Sequence, residues 1–294
     1  MHGVLNLDKP RGMTSQQAVT QVKRLLGVKK AGHAGTLDPM ATGVLLVCLG
    51  EATKISSLLM DMRKTYEAEL RLGQRTDTLD ADGTVIEERQ VDEFTMDDIE
   101  KALAGFRGRI MQTPPMYSAL KRDGRPLYEL AREGRTVERK EREVTVYGLE
   151  STGYDHPFLR IRVTCSKGTY VRTLAEDIAS ALGTVAHLSA LRRTRVGVFD
   201  VLDAVTLESL PPAAGESPRA LFAVDQALSS LMEVVLSKED YTVMRNGGFA
   251  DATTYGINGS DLTLRLKGTD RELFALGSVR ARRIKVDRIL YLKA

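Results

Sequence analysis

Asp38 is the side chain best placed for chemistry, in Gly32-His33-Ala34-Gly35-Thr36-Leu37-Asp38-Pro39. A proline disfavours the α region for the residue before it, so Asp38 is pushed toward an extended backbone. Gly32, Gly35 and Gly43 let the surrounding loop turn tightly and let a ligand come close. A carboxylate presented this way, directly before an apolar run, can act as a nucleophile or a general base. The same spacing suits an Asp-Pro turn equally well, and residue types alone do not separate the two. Arg172 is a second candidate, after the turn Ser166-Lys167-Gly168-Thr169. It falls on the first turn of an expected helix, where the dipole disfavours a cation. That placement favours a function over an ordinary surface arginine. Tyr66 falls on the apolar side of an alternating run, where a core aromatic is the plain reading. His33, on the loop of Asp38, reads plainly as a loop histidine bonding its own backbone. Leu191, before Arg192 and Arg193, is by itself only an apolar residue ahead of a basic pair.

The elements that must position these residues follow from the pattern. Residues 4 to 7 read as a short strand, entering the turn Asp8-Lys9-Pro10-Arg11-Gly12. Thr14 or Ser15 caps a helix with Ala18, Val22, Leu25 and Leu26 at helical spacing. Residues 31 to 43 read as a loop, 44 to 49 as a buried strand and 51 to 62 as a helix. Tyr66, Ala68, Leu70 and Leu72 alternate with Thr65, Glu67, Glu69 and Arg71, a half-buried strand. The segment 77 to 83 is an acidic turn. A calcium loop is excluded because Thr78 and Arg89 would fall on its first and last ligand positions. Thr95 caps a helix over 96 to 105. The stretch 107 to 142, rich in Pro, Gly and basic residues, reads as an insertion carrying a binding surface, with a helical piece near 126 to 133. Leu159, Ile161, Val163 and Cys165 form a strand, followed by a helix with Val171, Leu174, Ala175 and Ile178 inward. The Pro, Ala, Gly and Ser content of 208 to 219 marks a boundary. Short strands follow at 234 to 236, 262 to 266, 273 to 277 and 286 to 292.

The chain has 294 residues, 43% hydrophobic and 28% charged, with net charge +3. These values fit a globular protein of one large domain, or one large and one small. No apolar run approaches the roughly 18 residues that span a bilayer, and no secretory leader is visible, so a cytoplasmic protein is expected. Cys48 and Cys165 lie in apolar runs as small core residues, and the four histidines form no helical pair, so no zinc is expected. Basic residues cluster in three places: Arg107 to Arg142, the group Arg172, Arg192, Arg193 and Arg195, and Arg280 to Arg288. Any one alone reads as solvated surface, but three together point to a polyanionic partner.

Several segments together resemble one family. Residues 32 to 45 resemble the catalytic-aspartate motif of the enzymes that make pseudouridine 55 in the T loop of bacterial tRNA. Residues 7 to 15 resemble the family's N-terminal signature, and residues 72 to 78 with 80 to 83 its second. Residues 115 to 121 and 165 to 172 add two more, so the likeness covers about residues 3 to 200 in order and spacing. It implies an α+β fold: a catalytic domain over 1–230 with a mixed, mainly antiparallel sheet flanked by helices, and a β-rich module over 231–294 similar to PUA. It implies that Asp38 attacks a flipped uridine, that Arg172 pairs with Asp38 and keeps it ionised, and that Tyr66 stacks on the uracil and serves the final proton removal. By the same resemblance His33 helps to displace stacked bases and Leu191 lines the pocket. Lys9, Tyr170, Lys121 and Arg122 are expected on the substrate and RNA side. The expected partner is tRNA, through its T arm and T loop, with no cofactor, no metal and no protein partner, the enzyme acting as a monomer. The alternatives are a guide-RNA-dependent pseudouridine synthase and a non-catalytic tRNA-folding factor on the same scaffold.

Overall fold

The computed structural model describes residues 1–122, 124–211 and 217–292. The segment expected as a boundary, 208 to 219, lies partly outside the described residues, as do position 123 of the expected insertion and the last two residues.

The architecture is α+β. Elements run in the order β1 (Gly3–Lys9), α1 (Ser15–Leu26), β2 (Ala31–His33), β3 (Thr42–Leu49), α2 (Ser56–Asp61), β4 (Lys64–Leu72), β5 (Gln74–Thr76), β6 (Val85–Glu88), α3 (Met96–Ala104), β7 (Gly108–Gln112), β8 (Lys121–Arg122), β9 (Arg125–Pro126), α4 (Leu127–Arg132), β10 (Arg142–Asp155), β11 (Phe158–Cys165), α5 (Val171–Ala181) and β12 (Ala186–Val196). The large sheet has the order β1, β3, β12, β4, β11, β10, β7, with Leu221–Phe222 added outside β1 and β2 paired to β3. Its neighbours are antiparallel except β3 and β12, which run parallel. A second, five-stranded sheet begins at Met232–Val235 and ends at Arg283–Ile289.

The helices α1, α3 and α5 cover one face of the large sheet, with Leu45, Val47, Tyr66, Ala68 and Leu70 turned toward them. On the other face Val44, Leu46 and Cys48 pack with Leu59 of α2, with Leu273 and Leu276 of the second sheet and with Leu290 just after it. Strand β3 is therefore covered on both sides, which is why residues 44 to 49 read as unbroken apolar sequence. Strand β4 is covered on one side only and alternates. Burial pushes the thiols of Cys48 and Cys165 up to about 12 and about 11, so both sit as inert core residues. No helix among the described residues is long and apolar enough to cross a membrane.

Three expectations change. The loop expected over 31 to 43 is only 34 to 41, because Ala31–His33 finds a partner in β3. The helix expected over 51 to 62 is a 3₁₀ turn (Gly50–Ile55) running into α2. The start of the expected insertion, Gly108–Gln112, is an edge strand of the large sheet on β10, so the excursion occupies residues 113 to 141.

Gly43 marks where the sheet is tightest. Its φ of 102° is open to glycine and strained for other residues, and a Cβ there would overlap the backbone of Arg193 across the parallel β3–β12 pairing. Gly43→Ala is expected to cost more than the ~3 kcal/mol of an ordinary point mutant. Chemical denaturation of the variant checks this, and a near-wild-type midpoint would contradict it.

Candidate active site

The loop that carries Asp38 is clamped from three directions. Thr14 caps α1 with a reciprocal box to Gln17, so the helix begins where Ser15 is buried against the loop. The Leu37 amide donates to Ser15 Oγ at 2.8 Å, and that hydroxyl donates to the Leu37 carbonyl at 3.0 Å. From β1, Lys9 Nζ donates to the carbonyls of Pro10 and Met13 at 2.8 and 2.7 Å, with Pro39 O at 3.4 Å. From β12, Arg193 donates to the carbonyls of Gly35, Thr36 and Val44.

Asp38 stands at the floor of a cleft of about 1390 Å³, which His33, Tyr66, Leu191, Tyr170 and Arg172 also line. Arg172 is 4% exposed, and its Nε lies 2.9 Å from Asp38 Oδ2 and 3.6 Å from Asp80 Oδ2. Its two terminal nitrogens donate to the carbonyls of Thr78 and Tyr117 at 2.9 and 2.8 Å. Gln112, the last residue of β7, fixes the start of α5 by accepting from the Tyr170 amide and donating to its carbonyl. The cation at the helix start thus has two carboxylates and two carbonyls to offset the dipole.

The Asp38 side chain keeps 33% of its surface open, yet its carboxyl is enclosed by the cleft. Burial pushes its pKa up, Arg172's charge pulls it down, and Asp80 pushes it up again, for a net upward direction. The expected pair with Arg172 is in place, and burial is the larger influence. An upward shift makes a carboxylate a stronger base and nucleophile in its ionised form. The imidazole of His33 is pushed down by burial and by Arg193's charge, and its Nδ1 has no partner among the described residues.

Other expected residues fall elsewhere. Lys9, expected as a structural or a phosphate contact, is 0% exposed and spends its ammonium on backbone carbonyls, which is the structural of the two readings. Burial brings its pKa down to about 8. Lys121 and Arg122 are exposed on the β8–β9 hairpin, outside the cleft lining. Arg193, grouped in the sequence with surface cations, is buried.

Asp80, Ser15 and Arg193 are the residues that reading the sequence missed as parts of the site. Asp80 was legible only as one acid of a turn. It comes inward because Leu79 adopts a φ of 63°, rare for a non-glycine residue. The Leu79 carbonyl is held by the Leu188 amide, and Asp80 Oδ1 accepts from Thr78 Oγ1.

The mouth of the cleft carries arginine–aromatic pairs, set among both acidic and basic side chains. Arg142 lies over the Tyr170 ring at 4.8 Å and donates to Gly168 O, while Arg132 lies over Tyr128 at 5.5 Å. Such a rim suits phosphates and unstacked bases.

Comparison with known proteins gives a consistent result. Residues 23–171 match the model of the TruB family pseudouridylate synthase N-terminal domain, and residues 172–237 that of the tRNA pseudouridylate synthase B C-terminal domain. The tRNA pseudouridine synthase B of Ralstonia pickettii (strain 12J) is 54% identical over 245 residues, 82% of this chain and 77% of that protein. That of Chromohalobacter salexigens is 52% identical over 258 residues, 87% and 83% of the two chains. Among solved structures, a Cbf5-Nop10-Gar1 complex matches with TM-score 0.76 at 28% identity, covering 98% of this chain and 84% of that one. The archaeal box H/ACA Nop10-Cbf5 complex matches at 0.73 and 26%, covering 98% and 85%.

Proposed function

Because the chain belongs to the TruB family of pseudouridylate synthases, we propose that it is a tRNA pseudouridine synthase that isomerises uridine 55 of the T loop. The observation that carries this reading is the Asp38–Arg172 ion pair, set in a cleft beside Tyr66 and Leu191 whose rim carries Arg132 and Arg142 over aromatic rings.

The reaction breaks the glycosidic N1–C1′ bond, turns the uracil and joins C5 to C1′. The C5 proton leaves and N1 gains one, so substrate and product are isomers and no co-reactant is consumed. The target base is extruded from its loop at a cost of a few kcal/mol. His33 fills the space it leaves, and Leu191 packs against it in the cleft. Tyr66 stacks on the uracil. Asp38, ionised beside Arg172, attacks the flipped uridine, and the Tyr66 hydroxyl serves removal of the C5 proton.

Residues 1–230 form the catalytic domain in this reading and 231–294 a PUA-like RNA-binding module. The start of the second sheet at Met232 supports that division. The excursion over 113 to 141, with Tyr117, Tyr128 and Arg132 on the cleft, closes over the T arm, and Lys121 and Arg122 serve it as outlying contacts. The enzyme works in the cytoplasm as a monomer. A guide-dependent synthase and a non-catalytic folding factor are less well supported, since the relatives at 52–57% identity carry the name tRNA pseudouridine synthase B.

Incubating unmodified tRNA with the protein and mapping pseudouridine by chemical modification tests the assignment. Product at position 55 supports it; product at another uridine keeps the enzyme class and removes the substrate; no product removes both. Because phosphate contacts release counterions, tRNA affinity is expected to fall on the order of tenfold or more between 50 and 200 mM salt. A flat response in a filter-binding titration would remove the arginine-bearing rim as the RNA surface.

A further inference from the structure

Arg193 has no part in the chemistry above, yet it sits at the centre of the site. It is 1% exposed and projects from β12, between β3 and β4 in the sheet. Its Nε donates to the Val44 carbonyl at 2.7 Å, Nη1 to Thr36 at 3.3 Å and Nη2 to Gly35 at 3.1 Å. Gly35 and Thr36 precede Asp38, and Val44 follows the loop, so one guanidinium ties the entry of the aspartate loop to its exit. The two glycines fit this arrangement. A Cβ at Gly35 would come within 3.7 Å of Nη1, and one at Gly43 would overlap the Arg193 backbone.

A buried cation usually meets a carboxylate. Here the bonds of Arg193 end on carbonyl dipoles, so its charge stays available to its surroundings. Arg193 is the register partner of Tyr66 across the β12–β4 pairing, and both line the cleft with His33 and Lys64; the Arg193 charge acts on all three. We propose that Arg193 is a positioning residue that holds the Asp38 loop and the Tyr66 hydroxyl in one frame, and that it contacts no RNA phosphate. This rests on the roles given above to Asp38 and Tyr66.

The groups facing the Tyr66 phenol support the proposal. They are Arg193 from β12, Cys165 from β11 and Asp38 from the loop. Burial pushes the phenol above its ordinary range, and Arg193's charge opposes that shift. Loss of Arg193 would therefore move the phenol further up and loosen the loop, and a misplacement of about 1 Å can cost on the order of 10²-fold in rate.

The test compares wild type, Arg193→Met, Arg193→Lys, Tyr66→Phe and both doubles with Tyr66→Phe, in single-turnover assays on unmodified tRNA with Kd measured separately. Arg193→Met is expected to keep Kd within about twofold while slowing pseudouridine formation on the order of 10²-fold. Arg193→Lys should recover part of that loss. In the Tyr66→Phe background the loss from Arg193→Met should be about tenfold smaller than in wild type, the mark of coupled residues. The rate of Arg193→Met should also reach its plateau at higher pH than wild type. Three results would overturn the proposal: a weaker Kd with an unchanged rate, an equal loss in the wild-type and Tyr66→Phe backgrounds, or an unshifted pH profile. If Arg193→Met fails to fold, the Arg193→Lys pair carries the same comparison. An inactive wild type would sink the functional reading itself, whereas an active wild type matched by both Arg193 variants would sink only this inference.

Discussion

Asp38→Asn is expected to abolish pseudouridine formation while leaving the protein folded and able to bind tRNA. The change removes one charge and almost no volume, so the loop contacts through Ser15, Lys9 (to Pro39 O) and Arg193, which involve backbone groups and not the carboxylate, persist. Arg172 keeps Asp80 and its two carbonyls. What disappears is the nucleophile, and losing a covalent catalyst costs on the order of 10⁴-fold or more in rate. Single-turnover formation of pseudouridine, with Kd measured in parallel, separates the two effects. A variant that still turns over at a tenth of the wild-type rate would remove Asp38 from its role. The upward shift of Asp38 adds a pH signature. The carboxylate is needed ionised, so activity falls as pH drops through its pKa. Because burial raises that pKa, the acid limb should lie above the pH at which an ordinary aspartate titrates. A limb at or below the ordinary value would contradict the enclosure of the carboxyl.

Arg172→Met carries the second large effect, on stability and activity together. Arg172 stands between Asp38 and Asp80, and its removal leaves two carboxylates facing each other in a partly closed site. Breaking a buried pair costs about 3–5 kcal/mol. The lower end, about 3 kcal/mol, is expected here because Asp38 keeps an opening to the cleft. The carbonyls of Thr78 and Tyr117 also lose their donors, which loosens the acidic turn and the start of the excursion. The pKa of Asp38 should rise further and move the acid limb to higher pH. Arg172→Lys restores a charge but not the two directed donors to Thr78 and Tyr117, so it should regain stability more than rate. Adding Asp80→Asn to Arg172→Met removes the repulsion and should recover part of the lost stability. Urea denaturation and pH–rate profiles of the three variants check this. An unchanged unfolding midpoint in Arg172→Met would show that the pair is not stabilising.

The elements around the site were legible to different degrees. The capped start of α1, the alternation of β4 and the inward face of α5 appear in the sequence because period and capping are set by residues within one or two turns of each other. Tyr66 could be placed on an apolar face for the same reason, whereas Leu191 read only as an apolar residue ahead of a basic pair. The edge strand β7 could not be read, since Gly108–Gln112 is a strand only because β10, more than thirty residues on, offers it a partner.

The charged residues divide most sharply. By itself the sequence determined that Asp38 sits before a proline on a glycine-bearing loop, ahead of a strand apolar on both faces. It also set a cation at the start of a later helix. Which cations would be buried was decided by tertiary structure alone. Only Arg172 stood out along the chain, by its place at a helix start; Lys9 and Arg193 look no different there from Lys121 or Arg122. Lys9 is buried by the loop folded over β1, Arg172 by two acids and the excursion, and Arg193 by the parallel β12–β3 pairing across about 150 residues of chain. A charge in the interior is tolerated only where donors and acceptors converge on it. That convergence depends on three-dimensional neighbours, and no spacing along the sequence encodes it locally.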